Sequence, residues 1–87
     1  MKQIWKYELP KESNTISMPK NAEVLSVELQ NNKVCIWAKV DPSKYVENRT
    51  FVIFGTGHNI DNDINLHFIG TVLLFEGSIV LHVFEKV

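Results

Sequence analysis

Apolar and polar side chains alternate at period two along most of the chain, and no segment sustains a 3.6-residue period for three turns. That pattern restricts the fold to strands, whose side chains point alternately to two faces. Gln3 to Leu9 reads as a first strand, ended by Pro10 and the polar stretch Lys11 to Asn14. Thr15 to Met18 is a short extended piece stopped by Pro19. Ala22 to Gln30 and Lys33 to Asp41 are longer strands joined at Asn31-Asn32, and asparagine tolerates the positive φ of a two-residue hairpin turn. In that register Leu29 faces Val34, Val27 faces Ile36 and Leu25 faces Ala38 on one apolar side. Gln30 faces Lys33, Glu28 faces Cys35 and Ser26 faces Trp37 on the polar side, where Trp37 stands out beside Lys39.

Asp41-Pro42-Ser43 suits one capped helical turn at most, and Pro42 to Asn48 reads as a loop. Thr50 to Phe54 is the next strand, followed by Gly55-Thr56-Gly57-His58 and a polar loop to Asn65. His67 to Phe75 and Ser78 to Lys86 form a second hairpin, turning at Glu76-Gly77 or at Gly77-Ser78. One face carries Phe68, Gly70, Val72, Leu74, Ile79, Leu81 and Val83. The other carries Ile69, Thr71, Leu73, Val80, His82 and Phe84. Both are apolar, so either the N-terminal strand and the Asn/Asp loop fold over one of them, or it is an interface for self-association. The expected fold is all-β: one domain over residues 1–87, six or seven short antiparallel strands with two hairpins. It is either a compact sandwich or a half-open barrel.

Composition narrows the function. The 87 residues carry nine Lys+Arg against ten Asp+Glu, a net charge of −1, with 45% apolar content. That suits a packed core and excludes a disordered tail. It argues against a duplex nucleic-acid binder, which needs a clustered basic face. A lone cysteine, Cys35, allows no intramolecular disulfide and no multi-cysteine zinc site. The start lacks the apolar stretch of a signal peptide, and no apolar run approaches a membrane span, so an intracellular domain without membrane contact is expected.

Candidate chemistry is sparse. His58, His67 and His82, with Asp61 and Asp63, match no metal-ligand spacing. Asp61-Asn62-Asp63 begins like a calcium loop but has Leu66 and Val72 where glycine and glutamate belong. No metal or cofactor is expected. Cys35 lies opposite Glu28, a poor activating base, and no catalytic elbow or carboxylate pair is present, so an enzyme is not expected. A nucleotide-binding surface would use Trp5, Tyr7, Trp37 and Tyr45 for stacking and Arg49 for phosphate. The backbone of Gly55-Thr56-Gly57, the Thr56 hydroxyl and the His58 ring could face an anion. Each has a plainer alternative: core closure for Trp5 and Tyr7, an ion pair for Arg49, a strand-ending turn for the glycines.

The pieces Lys2-Gln3-Ile4-Trp5-Lys6-Tyr7, Ile16-Ser17-Met18-Pro19 and Ala22-Glu23-Val24-Leu25 resemble a family of small phage and prophage proteins described as a domain of unknown function. So do Trp37-Ala38-Lys39-Val40-Asp41-Pro42, Phe68-Ile69-Gly70-Thr71 and His82-Val83-Phe84-Glu85. The most specific part is Phe51-Val52-Ile53-Phe54-Gly55-Thr56-Gly57-His58, and the resemblance spans nearly the whole chain. Proteins of this look are similar to anti-CBASS nucleotide sponges. The resemblance implies a homo-oligomer, a tetramer being favoured, that sequesters a cyclic nucleotide such as 3′3′-cGAMP without cleaving it. The setting would be the cytoplasm of an infected bacterial host. Within the matching motifs the physical candidates are Trp5, Tyr7 and Trp37 for the bases. Lys39, Arg49, Gly55, Thr56, Gly57 and His58 are those for the phosphates. The alternative is a small interaction module that binds a host or phage protein through its apolar hairpin face.

Overall fold

The computed structural model describes residues 1–87. Seven strands follow in order: β1 (Gln3–Glu8), β2 (Ser13–Pro19), β3 (Glu23–Gln30), β4 (Lys33–Val40), β5 (Val46–Gly55), β6 (Leu66–Leu74) and β7 (Ile79–Lys86). They form two antiparallel sheets, β1-β4-β3 and β2-β5-β7-β6, stacked as an open sandwich rather than a closed barrel. No helix is long and apolar enough to cross a membrane.

Alternation explains the layering. In β4, Val34, Ile36, Ala38 and Val40 point inward and are buried. They meet Phe51 of β5, Val83 of β7, Val72 of β6 and Met18 of β2 from the other sheet. Each of these apart from Ala38, fully withdrawn from water, contributes roughly 1.5–3 kcal/mol. Asn31 and Asn32 take φ of 53° and 61°, as a two-residue hairpin requires. The β3–β4 register agrees with expectation from Gln30↔Lys33 to Ser26↔Trp37. Beyond that a bulge intervenes: Val24, not Leu25, lies opposite Ala38, and Leu25 is left 45% exposed as the extra residue.

The second hairpin pairs Leu74 with Ile79 and Thr71 with His82, the register of a turn centred on Glu76-Gly77. Phe75, Glu76 and Gly77 all adopt positive φ there, and the Ser78 N–H donates back to the Phe75 carbonyl at 3.1 Å. A bulge between Phe68 and Gly70 corrects the expected faces. Phe68 lies opposite Phe84 on the outer side, while Ile69 packs against the core. One inserted residue exchanges sides for everything before it.

Two further boundaries move. β5 starts at Val46, inside the expected loop, because β2 pairs with it from Pro19↔Val46 to Ser13↔Val52. No helical turn forms after Asp41; its Oδ1 accepts from the Ser43 N–H at 3.0 Å and the Ser43 hydroxyl at 2.7 Å. These two bonds hold the Asp41 carboxyl below the ordinary aspartate range.

Candidate functional site

β5 ends in the turn Gly55-Thr56-Gly57-His58. Gly57 takes φ of 86° at the third position, where a side chain would be strained. The His58 N–H donates to the Gly55 carbonyl at 3.1 Å, closing the turn. The His58 ring folds back so that its Nδ1 accepts from the Gly55 N–H at 3.2 Å. A Cβ on Gly55 would lie 2.8 Å from that ring, so glycine is what admits it. Accepting at Nδ1 places the proton of the neutral ring on Nε2. The Thr56 N–H donates to the Val80 carbonyl at 3.3 Å, and the Thr56 hydroxyl meets His82 Nε2 at 2.7 Å. Most of the donors that an anion would need are therefore engaged within the turn; the Gly57 N–H and the His58 Nε2–H are the two left without a partner.

His58 borders a cleft of about 510 Å³, within the range that small ligands occupy. Its floor is Leu9, Val34, Ile53 and Leu81, where the two sheets part at one end of the sandwich. Lys11, Lys33, Glu8, Glu12 and Asn32 form its rim, with Gly55 and His58 on the β5 side. Lys33 and Glu8 make only a long, exposed contact of 3.8 Å, leaving the ammonium available. Alternation could not single out Lys11, Asn32 and Lys33, because they lie in or beside connections and converge only through the fold.

The remaining candidates are dispersed. Trp5 and Tyr7 lie opposite Ala38 and Ile36 on the inner side of the three-stranded sheet. The Trp5 indole donates to Gln3 Oε1 at 2.8 Å. The Tyr7 hydroxyl is buried without a partner. Burial pushes the Tyr7 phenol up, and the nearby Arg49 charge offsets part of the rise. Trp37 occupies the outer side of the same sheet, between Lys6 and Ser26, with Lys39 two residues on in an ion pair with Glu23 at 3.2 Å. Within one chain Trp37 and Lys39 therefore face away from Trp5 and Tyr7.

Arg49 points inward. Its Nε and Nη2 grip the Glu85 carboxylate at 2.7 and 2.8 Å, and Nη1 donates to the Ala22 carbonyl. The Glu85 hydrogen bonds hold the guanidinium further into its charged form, against the opposing effect of burial. This fork forms part of the wall of a smaller cleft of about 260 Å³ between the bulged segments of β3 and β6.

Cys35 is buried with its thiol donating to the Lys33 carbonyl at 3.6 Å, between Glu8 and Glu28 on neighbouring strands. No three His, Cys, Asp or Glu side chains gather as metal ligands. Comparison with curated proteins and with solved structures finds no match. One family does match, described as "Domain of unknown function (DUF7352)", over residues 1–87. With the whole length matched, the chain belongs to the DUF7352 family.

Proposed function

We propose that this protein binds and sequesters a cyclic nucleotide second messenger of the 3′3′-cGAMP kind without cleaving it, as a phage immune-evasion protein in the cytoplasm of an infected bacterium. The observation that carries the reading is the cleft, where Gly55 and His58 of the most specific motif meet Lys11 and Lys33 over an apolar floor. A base lies against Leu9, Val34, Ile53 and Leu81, and a phosphate takes the His58 Nε2–H and the two ammonium groups. Two bases and two phosphates need more wall than one chain of 87 residues offers, so a homo-oligomer encloses the ligand. Trp37 and Lys39 reach such a ligand only from another copy, since they lie on the outer side of the three-stranded sheet.

Titration calorimetry with 3′3′-cGAMP tests this. Saturable heat is expected, with affinity lowered on the order of 100-fold in the Lys11→Ala/Lys33→Ala double variant. An absence of heat at high protein concentration rejects 3′3′-cGAMP as the ligand and moves the weight to a protein partner. The second reading, a protein-interaction module, is favoured by one observation: Phe54, Phe68 and Phe84 form an edge-to-face row on the outer side of the four-stranded sheet.

A further inference from the structure

The two outer faces of the sandwich differ in kind. The three-stranded sheet directs Lys6, Glu8, Glu23, Glu28 and Lys39 outward, an array that is stable in water. The four-stranded sheet directs outward only uncharged side chains, apart from Lys86 at one margin. Its large apolar members are open to solvent: Phe68 is 53% exposed and Leu73 58%. Exposed apolar side chains gathered on an otherwise uncharged face mark an interaction surface.

Several of the polar groups on that face are paired with one another or with the adjoining turn. Both ring nitrogens of His82 are engaged, Nε2 by the Thr56 hydroxyl at 2.7 Å and Nδ1 by the Thr71 hydroxyl at 3.1 Å. Thr15 and Thr50 join hydroxyls across β2 and β5 at 3.3 Å, and the Ser17 hydroxyl donates to Asn48 at 2.7 Å. Covering these paired groups strands few donors or acceptors, which lowers the desolvation cost of burying polar residues.

We propose that the outer face of β2-β5-β7-β6 is the contact between two copies of this chain, packed sheet on sheet about a twofold axis. An uncharged face opposes no like charges when it meets itself, and a chain with net charge −1 gives little long-range repulsion. The size is adequate. Four strands at a spacing of ~4.8 Å, with about eight residues at ~3.3 Å each, give a footprint of roughly 500 Å². Two copies then cover about 1,000 Å², the size at which specific pairs begin. The inference rests on the oligomeric part of the reading above and fixes which surface makes the pair; a tetramer would need a second, different contact.

Sedimentation equilibrium of the full chain at micromolar concentration, without nucleotide, tests it. The mass expected is at least twice the 10.0 kDa of one chain. Phe68→Asp and Leu73→Lys, both at exposed positions, should raise the dissociation constant of the pair on the order of 100-fold with an unchanged circular dichroism spectrum. Glu28→Lys, on the other outer face, should leave this pair intact, with a mass no lower than that of two chains. A wild-type monomer, or a pair that survives Leu73→Lys yet dissociates with Glu28→Lys, overturns the proposal. A protein that pairs in this way but gives no heat with 3′3′-cGAMP keeps this inference and loses the nucleotide reading.

Discussion

Tyr7 and Arg49 are stacking and phosphate candidates by residue type, and the fold gives both an interior setting. The Tyr7 hydroxyl is buried without a partner, so its desolvation cost is uncompensated. Tyr7→Phe should accordingly stabilise the protein by about 1 kcal/mol, read as a shift in the denaturant midpoint. Because burial raises the folded pKa of this phenol above its unfolded value, its contribution is fully present below about pH 10 and is lost as pH rises through the folded pKa. Wild type should lose stability more steeply than Tyr7→Phe in that alkaline range. Arg49→Ala strands the Glu85 carboxylate, whose side chain is 13% exposed, and should cost about 2–4 kcal/mol in chemical denaturation. A cost near zero would show that the fork contributes nothing to the fold. Any loss of ligand affinity in that variant must be separated from this loss of stability.

At the scale of elements, Gly70 lets β6 approach β3: a Cβ there would lie 2.7 Å from Val27 Cγ1. Gly70→Ala should cost about 1–3 kcal/mol by forcing the sheets apart. In the Gly70→Ala/Val27→Ala double variant the combined loss should be smaller than the sum of the single losses, the sign of a shared contact. Strictly additive losses would contradict it. The regular parts of these strands were legible in the sequence, since alternation fixes which side chains share a face. The Asn31-Asn32 turn and the Thr71↔His82 pairing follow from that rule. The bulges at Leu25 and Ile69 do not, because an extra residue leaves the composition of a strand unchanged while moving its neighbours to the opposite face. The start of β5 at Val46 was hidden for another reason: its polar sequence is held extended by pairing with distant β2.

For the whole molecule, the candidate site was legible only in part. The Gly55-Thr56-Gly57-His58 segment could be picked out by its glycines, and it does border the main cleft. Its partners Lys11, in the β1–β2 connection, and Lys33, at the start of β4, are far apart in the chain, and nothing in their own segments marks them. The aromatic candidates share a residue type but not a location, because register places Trp37 opposite in sense to Trp5 and Tyr7. The division of the surface into a charged face and an uncharged one is a property of the stacked sheets. On the pairing proposed above, it sets which faces of two copies meet.

Sequestration without chemistry is the central claim, and equilibrium dialysis of 3′3′-cGAMP against an excess of the protein tests it most directly. The account predicts that free nucleotide is depleted, and that heating the protein chamber releases the same nucleotide, unaltered on chromatography. Free nucleotide at the protein-free level, or release of a linear product, would contradict it.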